Sequence, residues 1–223
     1  MHIEIKDVTK KFGNKTVLSG VDLSADSGEC VGILGTNGTG KSTLLSILAG
    51  VLRADAGTFL CDGVDLLRAP KTRSRAVGYV PQGTPLIEEL TARDNLCLWY
   101  DKASLQRELN GGILDMLGIP DFLNLRVSKM SGGMKKRLSI GCALAGHPPI
   151  FLLDEPMSAL DIVCKQKIKD YLESYKRAGG ILILVTHDVL ELELCDRCYI
   201  LKDGKTEPFA FTGDTDELVK RIV

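Results

Sequence analysis

Residues 35–43 constrain this chain more than any other stretch. Gly35, Thr36, Asn37, Gly38, Thr39, Gly40, Lys41 and Ser42 fit the pattern G-x-x-x-x-G-K-[ST], and Thr43 follows. An apolar run, Cys30-Val-Gly-Ile-Leu34, leads into the loop as a buried strand, and apolar residues then recur at helical spacing over 42–49 until Gly50 stops them. Each residue type has a chemical use. Glycines let backbone N–H groups converge on an anion, Lys41 brings a point charge to the β- and γ-phosphates, and Ser42 offers a hydroxyl to Mg²⁺. The helix that follows directs its positive end at the same place. A Gly-rich turn capping a helix is the plainer reading, which the flanking strand and helix disfavour. The loop therefore predicts binding of a nucleoside triphosphate with Mg²⁺.

A second constellation lies downstream. Ile150-Phe-Leu-Leu-Asp-Glu155 ends an apolar strand with two adjacent carboxylates, the arrangement needed beside a phosphate loop on a parallel sheet. Successive side chains diverge at a strand end, so Asp154 can address Mg²⁺ through a water while Glu155 faces the γ-phosphate and can orient or deprotonate a water. Alone, such a pair reads as a solvated turn; with the phosphate loop in the same chain, the catalytic reading is favoured. The guanine-reading Asn-Lys-x-Asp of small GTPases is missing, since Asn14-Lys15 is followed by Thr16 and Val17, which favours ATP.

With 223 residues, 44% hydrophobic, the chain can bury one substantial core. Its 28 basic and 29 acidic side chains leave a formal charge of −1, so no global field draws it to nucleic acid or anionic lipid. The longest apolar runs fall well short of the ~18–20 residues that cross a bilayer. Residues 1–8 alternate apolar and polar instead of forming a secretory signal, so the expectation is a cytosolic protein. Seven scattered cysteines lack the spacing of a disulfide framework, and buried thiols are expected. Cys195-x-x-Cys198 has redox or zinc spacing, but no second pair accompanies it and packing is favoured.

Residues 3–8 and 16–23 alternate around a turn and predict a hairpin or neighbouring strands; further strands are expected at 58–61 and 77–80. From 81 to about 129 the periodicity becomes helical, with candidate helices at 91–100 and 105–117 and a weak point at Gly111-Gly112. A helix over 131–145, a strand at 150–153, a helix over 162–178 and a strand at 181–186 follow, which implies a parallel sheet flanked by helices. A short amphipathic stretch is read at 214–223.

Met130-Ser-Gly-Gly-Met134, lying between the two phosphate-site motifs, resembles the signature motif of the ATP-binding cassette family. Other motifs match in order: Gln82 in Tyr79-Val-Pro-Gln82 resembles the Q-loop, Ser158-Ala-Leu-Asp161 the D-loop, and His187 in Val185-Thr-His-Asp188 the switch histidine. Phe12 stands where the family places an aromatic that stacks on adenine. Taken alone, Gln82 reads as a turn residue, Asp161 as a helix N-cap, His187 as a polar strand end, and Phe12 as core. The resemblance covers essentially the whole chain. Met130 and Met134 replace the common Leu and Gln, and Thr36 stands where Pro is frequent; none of these removes a catalytic group.

The resemblance implies an α/β fold: a P-loop NTPase core with a mostly parallel sheet, an antiparallel β-subdomain and an inserted α-helical subdomain. The chain would be a single nucleotide-binding domain, with 1–82 and 136–223 as catalytic core and 83–135 as the helical subdomain. It also implies a homo- or heterodimer with two shared ATP sites. One subunit would supply the phosphate loop, Gln82, Asp154, Glu155 and His187, with Mg²⁺ held by Ser42, Gln82 and, through water, Asp154. The other would close the site with Ser131, Gly132, Gly133 and Met134, and a Ser-Gly-Gly helix start is by its nature an anion site. Separate integral-membrane permease subunits are the implied partners, no nucleic acid is expected, and the location implied is the inner face of the cell membrane. The runs at 131–138 and 90–96 look more like bacterial exporter ATPases than importers. A ribosome- or nucleic-acid-directed cassette is disfavoured by the near-neutral charge, and a non-hydrolysing regulator by Asp154, Glu155 and His187. Lys135-Lys-Arg137 reads as a solvated helix face, and Trp99 is left open between packing and a partner surface.

Overall fold

A computed structural model describes residues 1–158, 160–186, 188–213, 218, 220 and 221. The chain opens with β1 (His2–Phe12) and β2 (Lys15–Asp26), then β3 (Cys30–Leu34), α1 (Lys41–Ala49), β4 (Ala56–Cys61), the two-residue β5 (Val64–Asp65), α2 (Pro70–Ala76) and β6 (Val77–Val80). A helical stretch follows: α3 (Ala92–Cys97), α4 (Lys102–Leu109), α5 (Ile113–Met116), two 3₁₀ turns, and α6 (Gly132–Ala143). The remainder is β7 (Ile150–Asp154), α7 (Ile162–Arg177), β8 (Ile181–Val185), α8 (Val189–Leu192), β9 (Arg197–Lys202) and β10 (Lys205–Phe209).

Two sheets result. The first is antiparallel in the order β2-β1-β4-β5, and the second runs β10-β9-β3-β8-β7-β6, with β3, β6, β7, β8 and β9 parallel. β3, β7 and β8 are buried at every position, which explains why they read in sequence as unbroken apolar runs. The two faces of the larger sheet serve different cores. Ile181, Ile183 and Val185 of β8 pack with Ile3, Ile5, Leu23, Leu45 and Phe59 beneath the antiparallel sheet and α1. Their alternates Leu182 and Leu184 pack with Leu96, Leu105, Leu114, Leu138 and Phe151, binding the helical stretch to the opposite face.

Several expectations are refined. The helix expected at 105–117 is two helices, because Gly111 takes φ +92° and the buried Glu108 turns back to accept the Ile113 N–H at 3.1 Å, capping α5. α2, with Pro70 in its first turn, was not legible because it buries no residue and so carries no apolar face. α6 runs unbroken from Gly132 to Ala143. All seven cysteines are free thiols; Cys97 is exposed, against the expectation of buried thiols, because it sits on the outer side of α3. The amphipathic stretch at 214–223 falls mostly outside the described residues.

Candidate functional site

The phosphate loop occupies the carboxyl edge of the parallel sheet, between β3 and α1, where such sheets present ligand sites. Its glycines are dictated by geometry. At Gly35, φ is +149° and a Cβ would stand 2.5 Å from the Leu201 carbonyl oxygen; at Gly40, φ is +107° and a Cβ would meet Val17 Cγ1 at 2.8 Å. Gly40 is the N-cap of α1 and offers no side chain to its first N–H groups, which remain available to an anion. The Lys41 ammonium is buried and donates to the carbonyls of Gly35 at 2.7 Å and Thr36 at 2.9 Å, curling the loop into a cradle. Burial lowers the Lys41 pKa, and the charges of Glu155 and Asp154 oppose that shift.

Asp154 and Glu155 diverge as their place at the end of β7 requires. Asp154 is 1% exposed and accepts the Ser42 hydroxyl, while its Oδ2 has no hydrogen-bond partner. Burial raises its pKa, with the Ser42 bond working in the opposite direction. An orphaned, buried carboxylate oxygen beside a hydroxyl is a donor set that suits a hard divalent cation. The described residues hold no group of three His, Cys, Asp or Glu able to bind a metal by itself, so a cation here would take further oxygens from phosphate and water. Mg²⁺ fits these residues.

Glu155 is half-buried, with φ +49° and its N–H donated to the Val185 carbonyl at 2.9 Å. That left-handed backbone stores strain of ~1 kcal/mol or more and turns the carboxylate away from Asp154. Gln82, just past β6, donates its Nε2–H to Glu155 Oε2 at 3.1 Å. The structure thus brings Ser42, Asp154, Glu155 and Gln82 to one edge, as their motifs implied. Phe12 lies at the end of β1, 48% exposed, with the Lys10 ammonium 5.4 Å from its ring centroid. The packed-core alternative for Phe12 is thereby excluded. Asp161 is the N-cap of α7, accepting the Cys164 N–H at 2.8 Å. Ser131 likewise caps α6, accepting the Met134 N–H at 3.2 Å, and it is exposed together with Gly132. His187, and Ala159 of the 158–161 motif, lie outside the described residues.

A profile of the ABC transporter family matches residues 18–158, more than half of the chain. The chain belongs to the ABC transporter family. ATP binding follows from that membership. Two curated relatives are Nod factor export ATP-binding proteins I. That of Rhizobium etli is 34% identical over 209 residues, covering 92% of this chain and 66% of its own length. That of Burkholderia orbicola is 37% identical over 209 residues, covering 91% and 68%. The cassette spans about two thirds of the length of these relatives. A solved ATP-binding subunit of an ABC transporter superposes with a TM-score of 0.88 at 27% identity, over 100% of this chain and 99% of that one. A dimeric ATP-binding cassette in a post-hydrolysis state with ADP and Pi superposes with a TM-score of 0.82 at 32% identity, over 92% and 96%. The cassette therefore has the P-loop NTPase α/β fold.

One reading is overturned. The triplet at 135–137 is no solvated face: Lys135 pairs with Glu88 at 2.7 Å, Arg137 donates to the Leu117 carbonyl at 2.9 Å and stacks over Phe122, and Lys136 is 3% exposed. Lys136 Nζ donates to the carbonyls of Pro81 at 3.2 Å and Asp154 at 3.4 Å. Charge counting missed it; helical phase, which sets Lys136 one turn before the buried Ile140, carried the signal. Glu191 was also missed: it is 1% exposed, and its Oε1 accepts the Met157 N–H at 2.8 Å just beyond Glu155.

Proposed function

We propose that this cassette hydrolyses Mg²⁺-ATP within a dimer and thereby drives transport, in the export direction, by separate membrane subunits. The convergence of Lys41, the Ser42–Asp154 pair and the Gln82–Glu155 pair on one sheet edge carries the reading. Lys41 and the α1 N-terminus hold the phosphates, and Phe12 stacks on adenine. Mg²⁺ would be held by Ser42, Gln82 and, through water, Asp154, and when bound it neutralises charge on the β- and γ-phosphate oxygens. A Glu155 oxygen takes the proton of a water as that water's oxygen bonds to the γ-phosphorus. The bond from phosphorus to the β–γ bridging oxygen breaks, giving ADP and phosphate. His187 assists at the γ-phosphate, Asp161 lies at the dimer contact, and Ser131, Gly132, Gly133 and Met134 of the second cassette close the site.

Export rests on the likeness to the two export proteins and on the sequence runs at 131–138 and 90–96. No helix among the described residues is long and apolar enough to cross a membrane. Ile87, Leu98 and Trp99 are 45%, 58% and 65% exposed near the Gln82 loop and form the proposed docking surface; docking there would hold the cassette at the cytoplasmic face of the membrane. The subdomain division at 82 and 135 belongs to the same reading.

The decisive variant is Glu155→Gln. Steady-state turnover should fall at least about a hundredfold while ATP affinity stays within about threefold, since the carboxylate acts on the water and not on binding. Wild-type turnover in this variant would remove Glu155 from the reaction and the mechanism with it.

A further inference from the structure

We infer that Lys136 is a positioning residue that couples the two ATP sites of the dimer, by tying the signature helix α6 to the carboxylate strand of its own subunit's site. This rests on the shared-site reading above. Three successive side chains of α6 reach in different directions. Lys135 and Arg137 fasten the helix to Glu88, Leu117 and Phe122 of the helical stretch. Lys136 instead points into the sheet edge and bridges the first residue beyond β6 and the last residue of β7.

Those strands are parallel neighbours, with Val80 opposite Leu153, so Pro81 and Asp154 are the next pair in register. One residue further along each chain stand Gln82 and Glu155, themselves joined at 3.1 Å. Lys136 therefore fixes the spacing between the two backbone segments that carry the metal-facing and water-facing groups. Burial lowers the Lys136 pKa, and the nearby carboxyl groups of Asp154, Glu191 and Glu155 oppose that shift.

In the shared-site reading, the N-terminus of α6 faces the second site. Ser131 precedes Lys136 by five residues, ~7–8 Å along the helix axis, and α6 is continuous between them. Closure of Ser131 on the partner's nucleotide moves a rigid rod whose ammonium already sits at long hydrogen-bond distance, 3.2 and 3.4 Å, from its two carbonyls. A shift of a few tenths of an ångström would bring both bonds to the usual ~2.9–3.0 Å or break them. Occupancy of one site is thereby read at the carboxylates of the other.

The test compares wild type, Lys136→Met and Lys136→Arg, recording thermal midpoint, kcat, KM and the Hill coefficient for Mg²⁺-ATP. Lys136→Met keeps the volume and removes the donors. It should fold with a KM within about threefold of wild type, lose at least about tenfold in kcat, and show a Hill coefficient near 1. Lys136→Arg should restore kcat and cooperativity to within about threefold. Should the Met variant not fold, Lys136→Gln carries the same expectation. Wild-type kcat and cooperativity in the Met or Gln variant would overturn the inference, as would a lower kcat with unchanged cooperativity. A wild-type Hill coefficient of 1 would overturn the coupling as well, whereas a wild-type ATPase rate independent of dilution would instead sink the shared-site reading.

Discussion

Single residues in this cassette owe their behaviour to burial rather than to charge type. Glu191 shows it most clearly. Its Oε1 accepts the Met157 N–H, Thr186 donates its hydroxyl to the same carboxylate, and Oε2 is buried with no hydrogen-bond partner. Burial pushes its pKa from 4.5 up to about 7; Asp188 adds to the rise and Lys165 opposes it. Because the folded value is the higher one, the folded state binds the proton more tightly. The associated stability is fully present below about pH 4.5 and is lost as pH rises through about 7. Glu191→Gln removes that titration, so the variant should gain on wild type by up to roughly 3 kcal/mol between about pH 5 and about pH 8. Urea unfolding at both pH values checks this; parallel pH slopes for the two proteins would refute it. Asp188, Glu191 and Glu193 all carry carboxylates and only Glu191 is buried, so residue type alone did not signal the burial.

At the scale of elements, pairing register decides what a position tolerates. β1 shifts register against β4 between Lys6 and Thr9, and Gly57 of β4 lies against that bulge with φ +102°. A Cβ there would stand 2.6 Å from the Asp7 carbonyl oxygen and from Val8 Cα, both backbone atoms that cannot step aside. Gly57→Ala would lower unfolded-state entropy by an amount worth about 0.4–1 kcal/mol, but the left-handed backbone and the clash oppose it by more. A net loss of about 2 kcal/mol is expected in chemical denaturation, and an Ala variant as stable as wild type would show that the bulge yields. Strands β3, β7 and β8 were legible because burial on both faces writes an apolar run into sequence. The break between α4 and α5 was only half legible, since the Glu108 cap that completes it is a packing event across Gly111 and Gly112.

At the scale of the whole molecule, the proposed shared-site reading gives each cassette two half-sites: the loop at Gly35–Ser42 with the β7 carboxylates would form one, and the exposed start of α6 the other. Specific ATPase rate should therefore fall on dilution, in proportion to dimer lost, and recover on reconcentration. A rate independent of protein concentration across the range where light scattering reports monomer would exclude shared sites.

The phosphate loop, the strand-terminal Asp154 and Glu155 and the order of motifs were determined by sequence alone. Each is a local match of backbone freedom, charge and strand ending to one chemistry. Strand and helix identities followed from periodicities of two and 3.6, which are also local. Tertiary structure decided the rest. It buried Asp154 Oδ2 with no hydrogen-bond partner, put Gln82 within 3.1 Å of Glu155, and turned one lysine of a basic triplet into the sheet. Those outcomes depend on which strands are neighbours. Residues 82 and 155, or 81, 136 and 154, meet only because β6 pairs with β7 and α6 packs across their ends, and spacing along the chain does not encode that proximity.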